Sequence, residues 1–259
     1  MGHLRPWYEA HVHPAMNELY HEDEAAARTK LAQAWDELRA DEALSAEECR
    51  AMEYELLLFE HLIVNRFHDD ATQAAQFAIT YPAIHELEPN GPLAARFRAA
   101  CLLCMLGLGV RRGFVSMTEA EVDELVAQVS EDYMASNIWY YVIVWAYLNN
   151  NIKYLELALA EQTVNATGWV DEYYWQRTNL MYQLVAGKAS RLDVEKTISG
   201  YAHPHHIKDF RSLFLKRAEA AGLMDDELYA LLDRREAELE EVRGTVPGMQ
   251  PKTRRVVRQ

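Results

Sequence analysis

Helix-spaced apolar runs follow one another along almost the whole chain, and few turn-forming residues separate them. Ala27, Leu31, Ala34 and Leu38 recur at the intervals typical of an amphipathic helix, and the same spacing returns in later segments. Only 11 glycines and 8 prolines occur in 259 residues, whereas β-rich folds need more residues of these types for their turns. The sequence therefore predicts an all-α protein with short connections.

Local signals divide this helical sequence into pairs. Capping boxes at Ser45–Glu48 and Thr118–Glu121 predict two helix starts, and the Pro89–Pro92 and Asn149–Asn151 clusters predict breaks. About twelve helices in about six antiparallel pairs result, with a pair spacing typical of helical repeats. The prediction is an α-solenoid, a superhelix resembling tetratricopeptide (TPR) repeats, over residues 1–243, followed by a flexible basic tail over 244–259. A compact helical bundle is the alternative.

Composition limits the partners and the compartment. The formal net charge of −14 disfavours binding to a phosphate backbone, so we expect no direct nucleic-acid binding. No apolar run is expected to reach the ~20 residues of a membrane span, so no membrane association is predicted. The first residues show no signal-peptide core, and the three cysteines fit a reducing compartment. A cytoplasmic location follows as an expectation.

Three side-chain patterns could carry chemistry, but each is incomplete. Cys101 and Cys104 form a CxxC pair within an apolar helix, without the second ligand pair that zinc requires. Glu18 and His21 match half of a di-iron helical motif, and no second half exists in the sequence. The histidine cluster at 203–206 lies in a loop with no adjacent carboxylate. We therefore predict no catalytic residue, no metal site and no cofactor, hence a protein that is not an enzyme.

Tryptophan and tyrosine are concentrated between residues 133 and 182, where their large, stiff rings would suit a peptide groove. Tyr141 and Trp145 share one helix face, and Trp175 lies in the same aromatic-rich region. Asn179 occupies a helix position against its propensity, which favours a role in binding a peptide backbone. Arg177 could hold a peptide carboxylate bidentately. These five residues are the predicted ligand-binding set, and packing of the rings between repeats is the alternative.

The segment from Asn137 to Ala221 combines an aromatic helix, an Asn turn, the Tyr154-Leu-Glu-Leu-Ala-Leu-Ala160 helix and the Asp171–Arg177 run. In this layout it resembles the C-terminal repeats of Rgg-type bacterial peptide-pheromone receptors. The resemblance implies degenerate TPR-like repeats that bind short peptides on a concave face. Those receptors begin with a helix-turn-helix domain, and no such domain opens this sequence. The resemblance therefore implies either a stand-alone sensor or interaction domain, or the part of a longer protein that lacks its DNA-binding domain.

The sequence thus predicts a cytoplasmic, non-enzymatic binding or regulatory protein whose concave helical-repeat face binds a peptide or protein segment. A structural scaffold for protein–protein interaction, without a small ligand, is one alternative, and a metal-dependent helical enzyme is another. Homodimerisation through the terminal repeats is consistent with the apolar surface that the ends of a solenoid expose.

Overall fold

A computed structural model describes residues 4–21, 23–110, 113–114, 117–129, 138–164, 172–201 and 204–245. All regular secondary structure in these ranges is helical, so the all-α prediction is confirmed. The chain divides into two compact units, Met1–Trp145 and Ala146–Gln259. The sequence predicts one repeat domain over 1–243, and stacking of its helices into a superhelix stays a prediction.

Among the residues that the structure describes, the N-terminal unit contains six whole helices and most of a seventh. They are α1 (Leu4–Tyr20), α2 (Glu24–Ala40), α3 (Ala46–Phe67), α4 (Asp70–Glu86), α5 (Pro92–Val110), α6 (Glu119–Gln128) and α7 (Ile138–Leu148), the last of which continues into the second unit. Successive helices from α1 to α6 contact one another, and α3 also contacts α5. The core of this unit therefore lies around α3 and α5.

Helix α5 is strongly apolar, and its buried residues cover nearly its whole circumference. By length and composition it would also suit a membrane span, which corrects the expectation that no apolar run reaches that length. Because 67% of its apolar window is buried inside the protein, we describe it as a core helix. It contacts α3, α4 and α6.

Polar side chains set the starts of these helices. The two predicted capping boxes are confirmed: Ser45 and Glu48 cap α3, and Thr118 and Glu121 cap α6. The start of α5 is capped from a distance, since Glu47 of α3 accepts a hydrogen bond of 2.6 Å from the backbone N–H of Leu93. This contact ties α3 to the start of α5.

The C-terminal unit contains the rest of α7 and five further helices. They are α8 (Ile152–Val164), α9 (Glu172–Val185), α10 (Arg191–Ser199), α11 (Pro204–Asp209, a π-helical turn Phe210–Phe214 and Leu215–Ala220) and α12 (Asp226–Thr245). Tyr147 and Phe214 pack with ring centroids 5.5 Å apart, and the Arg217 guanidinium lies 4.3 Å from the Tyr147 ring centroid. The predicted basic tail over 244–259 lies, from residue 246 onward, outside the described residues.

Candidate interaction surface

Two of the predicted binding residues lie on α7 in the N-terminal unit, and neither is an open contact. The Trp145 side chain is only 2% exposed. Tyr141 is half-buried and packs so closely on α5 that a Cβ added to Gly107 would lie 2.3 Å from the Tyr141 Cβ. The structure thus places Tyr141 and Trp145 in packing contacts.

The other three predicted residues lie on α9 in the C-terminal unit, on two different faces. Trp175 is 40% exposed, and Asn179, one turn later on the same face, is half-buried. Arg177 is only 1% exposed, and its Nη2 lies 3.3 Å from Oδ2 of Asp209 on α11. A bidentate role of Arg177 toward a peptide carboxylate would require this buried ion pair to open. Only Trp175 and Asn179 of this set share a partly exposed face.

Helix α4 shows the clearest departure from ordinary amphipathic packing. Its buried positions follow helical spacing, but two of the four are polar: Gln73 and Thr80 alternate with Phe77 and Ile84. An exposed helix normally directs apolar side chains inward and polar ones outward. On α4 half of the inward positions are polar, so several of the apolar residues of this helix must lie on its outward side.

The outward side of α4 carries that apolar content. No charged residue occurs between Asp70 and His85, although this helix lies at the protein surface. Ile79 is 66% exposed, the highest value among the large exposed hydrophobic side chains of the described residues. We call the exposed residues that share one side of α4 the outer α4 face; they are Ala71, Thr72, Ala75, Ala78, Ile79 and Pro82. This face is a continuous, uncharged stripe along the helix, and it is apolar except for Thr72.

Local hydrogen bonds satisfy most of the polar groups that α4 buries. The Gln73 amide donates to the backbone carbonyls of Asn65 and His68, which end α3. Thr80 Oγ1 accepts a hydrogen bond of 3.0 Å from the Gln76 amide. Gln73 Oε1 is buried without a hydrogen-bond partner in the part of the chain that the structure describes. The Gln73 contacts hold one side of α4 against the end of α3, so the opposite side, with the outer α4 face, points outward.

A groove runs along one side of the outer α4 face. It has a volume of about 380 Å³ and is lined by Ala74, Phe77, Ala78, Tyr81, Pro82 and Phe114. The Phe77 and Tyr81 rings stack with centroids 5.4 Å apart, and Phe114 lies 5.6 Å from Phe77. We call this the Phe77 groove. Its size and aromatic walls are typical of sites that take apolar side chains.

A second, smaller groove lies on the α2 and α3 side of α4. It has a volume of about 210 Å³ and is lined by Arg28, Leu31, Ala32, Trp35, Glu60 and Gln76. The Trp35 indole N–H donates a hydrogen bond of 2.9 Å to Glu60, which fixes the ring orientation. We call this the Trp35 groove. The outer α4 face is therefore a ridge with a groove on each side.

Carboxylates are in excess near the Phe77 groove, but a cation lies among them. Helices α4 and α6 together carry six Asp and Glu residues and no Lys or Arg; they are Asp70, Glu86, Glu119, Glu121, Asp123 and Glu124, of which Asp70, Glu119 and Asp123 interact with other groups. Arg98 of α5 donates hydrogen bonds to the backbone carbonyls of Ile84 and His85 at the end of α4. Burial raises the pKa of Tyr81, and the Glu121 carboxylate raises it further while Arg98 opposes this. Hydrogen bonds from Thr118 lower the pKa of Glu121, so that carboxylate stays ionised at neutral pH.

Catalytic chemistry gains no support from the groups that the structure places together. Burial raises the pKa values of Cys101 and Cys104, the former well above and the latter far above the ordinary thiol value, so neither forms a nucleophilic thiolate. Among the described residues no group of three or more His, Cys, Asp or Glu side chains is arranged to hold a metal ion. His203, part of the predicted histidine cluster, lies outside these residues.

The outer α4 face was absent from the sequence-based site prediction, although a signal for it existed. Fourteen consecutive residues, from 71 to 84, carry no charge, but the run from 133 to 152 is longer and drew the prediction to α7. Apolar residues occur on all sides of this helix, so periodicity alone could not tell which side faces solvent. The concentration of aromatic residues favours a site on α7 and α9 instead.

The resemblance to Rgg-type receptors stays a prediction. Comparison with protein-family models, with curated proteins and with solved structures finds no match to this chain.

Proposed function

We propose that this chain is a non-enzymatic binding or regulatory protein of the cytoplasm, built of TPR-like helical repeats, that binds a peptide or protein segment. The observation that carries the proposal is the outer α4 face, a surface ridge without charge and with Ile79 66% exposed. Exposed apolar patches beside grooves mark interaction sites more often than they serve stability. On this proposal the ridge and its two grooves take the partner's apolar side chains.

Of the five binding residues predicted from the sequence, only two remain candidates for contact with a partner. Trp175 and Asn179 offer a second partly exposed surface, on α9. Trp145 and Arg177 are interior residues and support the fold, as the scaffold alternative expects. The concave face of a superhelix and a homodimer through the terminal repeats remain expectations from the sequence, and the test below does not depend on them.

A peptide-display selection tests the proposal. A random peptide library is panned against the full chain, and enriched peptides are titrated by calorimetry against wild type, Ile79→Glu and Leu192→Glu. Leu192 is the matched control, because it is a 54% exposed apolar residue on α10, away from α4 in the sequence. A charge placed in the centre of an apolar contact is expected to weaken binding by at least about tenfold.

The control variant should bind the same peptides with wild-type affinity. The proposal fails if no peptide is enriched, or if Ile79→Glu binds the enriched peptides as tightly as wild type. Peptides that lose affinity only with Trp175→Ala would move the site to α9.

A further inference from the structure

We propose that the partner of the outer α4 face is a cationic amphipathic helix of another protein, and this inference rests on the function proposed above. The segment would lie along α4, with its apolar side chains against Ala78, Ile79 and Pro82 and its basic residues toward Glu86 and α6. The shape of the ridge, the charge around it and the charge of the chain itself each bear on this choice.

Shape favours a helix as the occupant. The outer α4 face contains the small residues Ala71, Ala75 and Ala78, which allow a second helix to approach its backbone closely. Ridges of one helix pack into the grooves of another, and α4 has a groove on each side. An extended strand would need unpaired backbone groups on its partner, and a helix offers none along its side.

Charge favours a basic segment. Glu86 lies one turn beyond Pro82 on the outer face and is exposed, so it ends the apolar stripe with a negative charge. It lies at a helix C-terminus, where the helix dipole already disfavours an anion. On α6, Glu121 and Glu124 are exposed and add negative charge, whereas Arg98 of α5 lies at the same end of α4 as Glu86 and offsets part of it. A basic partner would offset the remaining excess of negative charge.

The same charges disfavour a second copy of this chain. In a symmetric pair, α4 faces would meet each other, so that Glu86 and its acidic neighbours would face their own equivalents. The formal net charge of −14 adds a general repulsion between copies. A positively charged partner avoids both the local repulsion between the acidic faces and the general repulsion between copies.

Three synthetic helical peptides of about 15 residues test this inference. All carry leucines at i, i+3, i+4 and i+7, and their opposite faces carry lysine, glutamine or glutamate; a scrambled lysine peptide is the control. Each is titrated against the full chain and against Glu86→Lys, Ile79→Ser and Leu192→Ser. Glu86→Lys should fold normally, because it places a cation at a helix C-terminus.

The lysine peptide is expected to bind at least about tenfold more tightly than the glutamate peptide, with an affinity that falls as salt is added. Glu86→Lys should weaken the lysine peptide about threefold or more and strengthen the glutamate peptide. Ile79→Ser should weaken the lysine and glutamine peptides, and Leu192→Ser neither.

Several outcomes overturn the inference, and they differ from failure of the proposed function. Equal binding of the lysine and glutamine peptides, unchanged in Glu86→Lys, would leave peptide binding intact and remove the charge preference. Equal binding of the scrambled lysine peptide, unaffected by Ile79→Ser, would mean unspecific attraction to an acidic surface. Tighter binding of a peptide comprising residues 246–259, which carry Lys252, Arg254, Arg255 and Arg258, would assign the face to this chain's own tail. Absence of binding by every peptide, including those from the display selection, would end the proposed function itself.

Discussion

Helices α4 and α9 both expose apolar side chains and bury polar ones, but they stabilise the buried groups in different ways. Helix α4 buries neutral groups, and short-range hydrogen bonds within α4 and to the end of α3 satisfy most of them. Helix α9 buries the charged Arg177, which pairs with Asp209 on α11. A neutral amide needs only a neighbouring carbonyl, whereas a buried guanidinium needs a counterion.

The two helices also differ in the contacts that hold them in the fold. In the C-terminal unit, the Arg177–Asp209 ion pair joins α9 to α11, which are distant in the sequence. Helix α4 is held by the Gln73 contacts with the end of α3 and by Arg98 of α5, which donates to the carbonyls of Ile84 and His85. The contacts of α4 are thus neutral hydrogen bonds or involve a partly exposed cation, whereas α9 relies on a charge buried in the interior.

The largest expected effect is the loss of the Arg177 counterion. Asp209→Ala should lower the free energy of unfolding by about 3–5 kcal/mol, because it removes a carboxylate that pairs with a buried positive charge. Urea unfolding followed by circular dichroism measures this. The double variant Arg177→Met, Asp209→Ala should recover most of the loss, since an apolar side chain needs no counterion. A single-variant loss below about 1 kcal/mol would show that the stability of the protein does not depend on the Arg177–Asp209 ion pair.

A smaller effect is expected from the corresponding change in α4. Gln73→Ala should cost about 1–2 kcal/mol, because the Asn65 and His68 carbonyls lose their donor and a small void forms. Gln73→Met keeps most of the side-chain volume, so comparison of the two variants in urea unfolding separates the hydrogen bonds from the packing. If Gln73→Met equals wild type, the amide contributes nothing and the comparison between the two helices fails.

Much of the helical architecture could be predicted from local sequence, since helix boundaries depend on side chains a few residues apart. The capping boxes at Ser45–Glu48 and Thr118–Glu121 lie where the sequence predicts them, as both partners of each box are three residues apart. The cap of α5 could not be predicted, because Glu47 is 46 residues from Leu93. Its position follows only from the packing of α3 beside α5.

The candidate surface was harder to predict than the helices. Side-chain chemistry ranks Arg177 as a ligand and Gln73 as an exposed residue, because both are usually found at the surface. Both are buried here, and only three-dimensional packing supplies the partners that make this possible. Aromatic density likewise does not distinguish the buried Trp145 from the exposed Trp175, since the two rings offer the same chemistry.

The ion pair below α4 should contribute less than either buried group. His68 Nε2 lies 2.7 Å from Glu24 Oε1, and both side chains are about one-third exposed, so solvent screens their interaction. Hydrogen bonds from His68 and Arg28 hold the pKa of Glu24 below its ordinary value of 4.5. A depressed pKa in the folded state adds stability above the unfolded value, and this stability is lost as the pH falls through the folded one.

Glu24→Gln should therefore lower the free energy of unfolding by less than about 1 kcal/mol at neutral pH. The variant and wild type should converge as the pH falls through the lowered folded-state pKa of Glu24, because the wild-type carboxylate is then protonated. Urea midpoints measured from neutral to acid pH check this. A difference that grows in acid would mean that Glu24 is held by something other than these hydrogen bonds.

The smallest effect on stability is expected at the centre of the outer α4 face. Ile79→Ser should change the free energy of unfolding by no more than about 0.5 kcal/mol, because a 66% exposed side chain gains little from folding. Ile84→Ser is the matched control, since the same residue type on the same helix is fully buried there, and it should cost about 2–4 kcal/mol. If Ile79→Ser also costs more than about 1 kcal/mol, the face belongs to the protein's own packing, and α4 joins α9 as a helix explained by its fold. If it costs nothing, Ile79 is not needed for stability, and the peptide titrations with Ile79→Ser decide whether it contacts a partner.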